Sequence, residues 1–252
     1  MEVLGRAIEV LSRAERILAY TGAGCSTESG IPDFRGPDGL WTRVDPDDFT
    51  IDRFLSSRAV RVRSWRMHQE GALWGDRAEI RPNAAHDALT DLWRRDRLTG
   101  IVTQNVDGLH QASGAPDTAV AEVHGNVRKS LCLGCGARWT TEEVLGWVDG
   151  GMDDPHCPHC EGIVKTTTVM FGELLPQEEM DKARAMADAA DAVLVVGSTM
   201  GVYPAANVPL SVVTRGRPMV IVNLGPTDHD ALATIKVEAP AGTAMGSLAR
   251  AI

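Results

Sequence analysis

Residues 20–36 read Tyr-Thr-Gly-Ala-Gly-Cys-Ser-Thr-Glu-Ser-Gly-Ile-Pro-Asp-Phe-Arg-Gly, directly after the apolar run Ile17-Leu18-Ala19, which suits the end of a buried strand. A strand that runs straight into Gly22-Ala23-Gly24 brings bare backbone to its tip, because glycine has no Cβ and tolerates the positive φ of a tight turn. Such a turn lets a pyrophosphate approach closely. The stretch departs from the G-x-G-x-x-G pattern, since Thr27 stands where the third glycine would. A G-x-G alone also makes plain turns, so the weight comes from the polar continuation to Asp33-Phe34-Arg35-Gly36.

Outward from this turn, further apolar runs read as strands: Gly100-Ile101-Val102-Thr103, Ala192 to Val196 and Met219 to Val222. Continuous apolar runs suit strands covered on both faces. Helical spacing marks Glu2 to Arg16, Ala84 to Arg95 and Gln177 to Ala190. The alternation predicts a parallel α/β sheet, whose ligands gather at the carboxyl ends of the strands. Polar clusters follow the runs in each case: Gly24, then Gln104-Asn105-Val106-Asp107, then Gly197-Ser198-Thr199, then Asn223. Glycine, asparagine and serine make turns everywhere, but four such clusters on one sheet edge predict one shared crevice.

At 252 residues the chain can bury a large core and carry a smaller module. A formal charge of −9 gives no electrostatic footprint for nucleic acid and fits a basic partner, such as a lysine-bearing protein segment. No apolar stretch is long enough to cross a bilayer and the first residues do not resemble a signal peptide, so a cytoplasmic protein with no membrane partner is expected. Oligomeric state is not legible.

Two segments break the alternation. Residues 37–80 have mixed helical patterning and read as a helical insertion; residues 126–165 hold two C-x-x-C pairs, Cys132/Cys135 and Cys157/Cys160. Paired cysteines in a cytosolic protein favour a metal over a disulfide. Four thiolates complete a tetrahedral Zn²⁺ and leave no position for water, so one structural zinc is expected, with His156 and His159 as surface residues. Acidic residues outnumber Arg128, Lys129 and Arg138 in this ribbon, against a nucleic-acid role. Cys25 reads as a small buried hydrophobe, not a nucleophile.

The ordered set from Gly22-Ala23-Gly24 to Asp33-Phe34-Arg35-Gly36, then Thr103 to His110, then Val123-His124-Gly125, resembles the sirtuin family of NAD-dependent protein deacylases. The cysteine pairs, Phe171-Gly172-Glu173, Gly197-Ser198-Thr199 and Asn223 extend the resemblance across the chain. It implies a Rossmann-like doubly wound parallel sheet (1–36, 81–125 and 166–252) that binds NAD. The smaller part would combine the helical insertion (37–80) with the zinc ribbon (126–165), and an acyl-lysine peptide would lie in the cleft. Ala23 and Arg35 would meet the phosphate and ribose side of NAD, with Gly22 and Gly24 in the same turn, and Asp33 and Phe34 would close over the nicotinamide ribose. Asn105 and Asp107 would hold the nicotinamide pocket and Gln104 the ribose. Gly197, Ser198, Thr199, Asn223, Leu224 and Ala244 would line the adenosine end. Val169, Phe171, Gly172 and Glu173 would pair with the substrate backbone.

In such enzymes the acyl oxygen attacks C1′ of the nicotinamide ribose, nicotinamide leaves, and a ribose hydroxyl then attacks the resulting imidate. By the same resemblance His124 would be the general base for that step, with Asn105 as its catalytic companion. Without it, His86 and His110 would be comparable choices. Ser198-Thr199 inverts the family's usual Thr-Ser order, and Lys165 to Thr168 lacks a proline common before the substrate strand. Trp65 and His68 stand where the succinyl-removing branch carries Tyr and Arg, against succinyl or malonyl preference. Asn223 to Thr227 and Cys132 to Gly136 look most like a class II branch of bacterial and mitochondrial members with weak deacetylation and longer-acyl or ADP-ribosyl activities. Mono-ADP-ribosyl transfer is the alternative on the same fold. A nicotinamide-dependent dehydrogenase would need an acidic residue at the end of its second strand, and a non-catalytic reader would not need His124, Asn105 and Asp107 together.

Overall fold

The computed structural model describes residues 2–33, 39, 42, 44–71 and 80–252. Phe34 and Arg35 lie outside them. In chain order the elements are α1 (Glu2–Ser12), β1 (Ile17–Thr21), α2 (Ile51–Ser56), α3 (Arg58–Gln69), α4 (Ala84–Arg94), β2 (Leu98–Thr103), α5 (Leu109–Ala112) and β3 (Val120–Glu122). There follow β4 (Lys129–Cys132), β5 (Arg138–Thr140), α6 (Thr141–Asp149), β6 (Val164–Thr166), α7 (Gln177–Asp188), β7 (Ala192–Val196), α8 (Asn207–Val213), β8 (Met219–Val222), β9 (Ile235–Val237) and α9 (Ala241–Ala251).

Six parallel strands form the main sheet in the order β3-β2-β1-β7-β8-β9. Each apolar run is divided residue by residue between the two faces, as the period of two requires. Ile17, Ala19, Leu194 and Val196 face a core shared with α1, α4 and α9, while Leu18, Tyr20, Val193 and Val195 face one shared with α7 and α8. The sheet is therefore doubly wound. Its order reverses between β1 and β7, which opens a crevice at their carboxyl ends.

The glycines there have a reason that the sequence does not reveal. A Cβ on Gly22 would lie 2.8 Å from the carbonyl oxygen of Gly197, and one on Gly24 would lie 2.8 Å from the Gly197 Cα. The Gly22 amide donates to Val196 O at 3.1 Å and the Gly24 amide to Gly197 O at 2.9 Å. The first demand on these glycines is thus that the two loops touch backbone to backbone across the switch point. Beyond Gly24 the chain makes two 3-10 turns, Ala23–Cys25 and Thr27–Ser29, and not the long helix that follows a complete G-x-G-x-x-G.

Gly197 has φ +62, and a Cβ there would sit 2.1 Å from the Cys25 nitrogen. Gly197→Ala is expected to cost on the order of 3 kcal/mol or more, combining the left-handed penalty with an overlap that only backbone movement relieves. Gly216, at φ +76 but facing open space, supplies the comparison, with about 1 kcal/mol expected for its alanine variant. Urea denaturation of both variants checks this; equal losses would mean that the loop contact is not limiting.

The two insertions fold against each other. A second sheet, β5-β4-β6, is antiparallel, and β6 carries it to Thr166. Trp65 of α3 is buried in the ribbon's core with Cys132, Val144, Cys157 and Val164. Arg61, also on α3, forms a bidentate pair with Asp154, both bonds 2.8 Å, and its third nitrogen donates to Phe54 O and Leu55 O.

Candidate functional site

The site grows from the ends of β1, β2, β3 and β7. At the end of β1, Thr21 Oγ1 donates to Thr103 Oγ1 of β2 at 2.8 Å, and at the end of β2 the Gln104 amide donates to Thr21 O. The loop that follows β2 is pinned across the first turn. Asn105 Nδ2 donates to Gly22 O at 3.0 Å and to Ser26 Oγ at 3.1 Å, and Ser26 Oγ donates to Asp107 Oδ2 at 2.7 Å. Asp107 Oδ1 accepts the Leu109 amide at 2.8 Å. Both amide protons of Asn105 are thereby spent, which leaves its Oδ1 as an acceptor. Asn105, Asp107 and Ser26 are all buried, so these polar groups stay fixed by one another.

His124 follows β3. Its Nδ1 lies 3.1 Å from the carbonyl of Gln104. A carbonyl only accepts, so Nδ1 carries the proton and Nε2 holds a lone pair. Burial lowers its pKa below the usual imidazole value, opposed by the Gln104 hydrogen bond. Next to it, Gly125 has φ +75, and a Cβ would meet Thr167 O at 1.9 Å. The glycine is needed for the crossing of residues 167–169: Val169 N donates to His124 O at 2.8 Å and Asn126 N to Thr167 Oγ1 at 3.0 Å.

The Val169 to Glu173 segment is already paired along one side. Phe171 N donates to Phe49 O at 2.9 Å and Ile51 N to Phe171 O at 3.0 Å, a parallel bridge to Thr50. Beyond the bridge the chain closes a tight turn, since Glu173 N donates to Met170 O at 3.0 Å and Gly172 has φ +89. The Met170 amide donates to Glu173 Oε2 at 2.6 Å, and the same carboxylate pairs at 3.0 Å with the buried Lys165 ammonium. Lys165 thus does from below what a rigid proline would do in the chain.

At the far end of the crevice Ser198 Oγ accepts from Gln104 Nε2 at 2.7 Å and from Met200 N at 3.1 Å, whereas Thr199 is exposed. Asn223 is buried and donates to Leu224 O and Gly225 O; the Leu224 side chain is exposed. Ala244 is packed in the core beneath α9. The base of the first loop is tied to this region, because Glu28 accepts the Gly242 amide near the N-terminus of α9.

Ser26, Thr21 and Thr103 hold the site together without standing out in the sequence, and His86 and His110, the alternatives to His124 by residue type, are buried. His86 completes a capping box with Asn83, its Nδ1 accepting the Asn83 amide at 3.2 Å, and its Nε2 lies 3.4 Å from Ser26 Oγ. The Asn83-x-x-His86 spacing before an apolar helix was the available signal.

In the ribbon the four sulfurs converge. One ligand atom from each of Cys132, Cys135, Cys157 and Cys160 lies within 4.8 Å of the others, with Cys132–Cys160 at 3.5 Å and Cys135–Cys157 at 3.6 Å. Tetrahedral zinc with bonds of about 2.3 Å spaces sulfurs by roughly 3.8 Å. Burial pushes the Cys132 thiol up, but the Cys135 and Gly134 amides donate to its sulfur and hold it at about 6. The neighbouring histidines are otherwise engaged, His156 with Glu161 O at 2.8 Å and His159 stacked on Trp139. These residues fit a four-cysteine zinc centre.

Comparison with known proteins agrees with this geometry. The Sir2 family profile matches residues 22–204. The chain is 42% identical over 239 residues to NAD-dependent protein deacetylase 2 of Streptomyces coelicolor, covering 94% of this chain and 97% of that protein. It is 39% identical to NAD-dependent protein deacetylase 1 of Bradyrhizobium diazoefficiens, covering 94% and 92%. Among solved structures it superposes on a complex described as Sir2-p53 peptide-NAD+ with a TM-score of 0.84, at 35% identity and over 98% of this chain and 95% of that one. A structure of Sir2Tm bound to a propionylated peptide gives a TM-score of 0.85 at 33% identity, over 98% and 97%. With the fold, the crevice and the four-cysteine centre all in place, the chain belongs to the Sir2 family.

Proposed function

We propose that this chain removes acyl groups from protein lysine side chains with consumption of NAD, giving nicotinamide, O-acyl-ADP-ribose and free lysine. The observation that carries the reading is the tautomer of His124: the Gln104 carbonyl holds the proton on Nδ1 and leaves Nε2 as a base beside the crevice. NAD, when bound, supplies an ADP-ribosyl group with nicotinamide as its leaving group. The bare backbone of Gly22, Ala23 and Gly24, with Asp33, Phe34 and Arg35 following, would receive its phosphates and nicotinamide ribose. Asn105 and Asp107 would orient the nicotinamide, held rigid by Ser26. Gln104 would meet the ribose, and Gly197, Ser198, Thr199, Asn223, Leu224 and Ala244 would line the adenosine side. His124 Nε2 would take a proton from a ribose hydroxyl and later return it.

The acyl-lysine peptide would pair as a strand with the segment Val169 to Glu173. In this reading residues 1–36, 81–125 and 166–252 form the NAD-binding part, and residues 37–80 and 126–165 the smaller part that closes the cleft. Trp65 is committed to the ribbon core and the buried His68 stands where the succinyl-removing branch carries its arginine, in keeping with acetyl or longer neutral acyl groups over succinyl. No described helix is long and apolar enough to cross a membrane. The expected setting is the cytoplasm, with lysine-acylated proteins as partners.

The test is incubation of the pure protein with NAD and peptides carrying acetyl, propionyl, longer acyl or succinyl lysine, following nicotinamide and peptide mass. Nicotinamide release with peptide mass lost is expected. Mass gained would instead mean ADP-ribosyl transfer, and formation of NADH would overturn the reading.

A further inference from the structure

Behind the crevice lies a second cluster of soft ligands. Cys25, His86 and His110 are all fully or almost fully buried, and one ligand atom from each lies within 4.8 Å of the others. The hydrogen bonds decide which lone pairs are available. Thr21 Oγ1 gives its proton to Thr103, so it accepts from His110 Nε2–H at 3.0 Å, and His110 Nδ1 keeps a lone pair. That Nδ1 is buried and has no hydrogen-bond partner among the described residues. His86 is arranged differently: its Nδ1 accepts the Asn83 amide, so its Nε2 carries the proton toward Ser26. Its ring centre lies 5.0 Å from that of His110, so it packs beside the other two ligands without offering a lone pair.

We propose that Cys25 Sγ and His110 Nδ1 form a binding site for a soft monovalent cation, Cu⁺, whose occupancy switches the enzyme off. Thiolate and imidazole are the ligands that soft cations select. Metal bonds of about 2.3 Å to sulfur and 2.0 Å to nitrogen reach across at most about 4.3 Å, so ligand atoms within 4.8 Å of one another take up one ion with a shift of no more than about half an ångström. Charge favours Cu⁺ over Zn²⁺, since one thiolate and one neutral imidazole balance a single positive charge, whereas a divalent ion would leave net charge in a dry interior. The exchange balances without redox chemistry: the Cys25 thiol gives its proton to solvent, a copper–sulfur bond forms, and copper stays Cu⁺. The ion would sit next to Ser26, whose hydroxyl holds both Asn105 and Asp107, so strain on this turn reaches the crevice directly.

The test titrates the zinc-loaded protein anaerobically with Cu⁺ against a chromophoric Cu⁺ chelator, measuring copper bound, zinc released and turnover. Cys25→Val puts an aliphatic side chain in the place of the thiol, and Cys25→Ser preserves size while removing the soft donor. The unmodified protein is expected to bind one more tight equivalent of copper than either variant and to lose at least about tenfold of its turnover as that equivalent is filled. Both variants should keep turnover in the same range of copper. Equal copper uptake by all three proteins, or inhibition that tracks zinc release from the ribbon in all three, would overturn the proposal. Copper uptake is read without any turnover assay, so the site stands or falls separately from the deacylase reading.

Discussion

His124→Tyr is expected to lower deacylation by roughly 10²–10⁴-fold, the range over which a positioned acid–base group acts, while leaving the fold and the zinc content unchanged. His124→Ala should behave alike, which separates loss of the base from obstruction by a larger ring. The pH profile adds a readout that a structural role would not move. Only the neutral imidazole accepts a proton, so the rate must fall as pH drops through the His124 pKa. Burial lowers that pKa, with the Gln104 bond working against it, so the acid limb of kcat/KM should lie below the ordinary histidine value of about 6.5. Near-normal turnover in the Tyr variant, or an acid limb well above that value, would remove His124 from this role.

Stripping the metal from the ribbon, or replacing Cys132 with Ser, is expected to unfold this module outright. Structural zinc in small sites contributes on the order of 10 kcal/mol or more of apparent binding free energy, far above what the ribbon's few core side chains can supply. Those side chains include Trp65, with Trp139 and Trp147 packed against them, the last two in edge contact at 5.2 Å between ring centres. Tryptophan emission should therefore shift to the red on chelation, while much of the main sheet's circular dichroism survives. Activity should vanish together with the emission change and return with zinc. Unchanged emission and turnover after verified zinc removal would show that the ribbon holds itself together.

The sheet was legible because its central strands are apolar at consecutive positions, a pattern that only two covered faces explain. Val120–Glu122 could be read as a short strand, but β9, only Ile235–Val237, and α9, beginning at Ala241, have weak local signals and depend on tertiary packing. The four cysteines declared the ribbon by spacing alone. The main site was legible as a set of loops and not as a network: Gln104, Asn105 and Asp107 were found, yet Ser26 and Thr103, which tie them to β1, look like ordinary turn and strand residues. Glycines misled in a useful way. Gly22 and Gly24 read as room for a ligand, whereas the nearest atoms there belong to the protein's own Gly197-Ser198 loop. A sequence shows where a side chain is missing but not what occupies its place.

The Arg61–Asp154 pair and the seating of Trp65 bear on how such a molecule can be rebuilt. A chimera that imported another ribbon alone would leave the Arg61 guanidinium, with its side chain only 10% exposed, facing a stranger, and a buried charge stripped of its partner costs about 3–5 kcal/mol. Moved together with α2 and α3, the ribbon carries its own counter-charge and its own indole. The two insertions, far apart along the chain, are in that sense one heritable cassette, and recombination that respects the chain order would tend to break it.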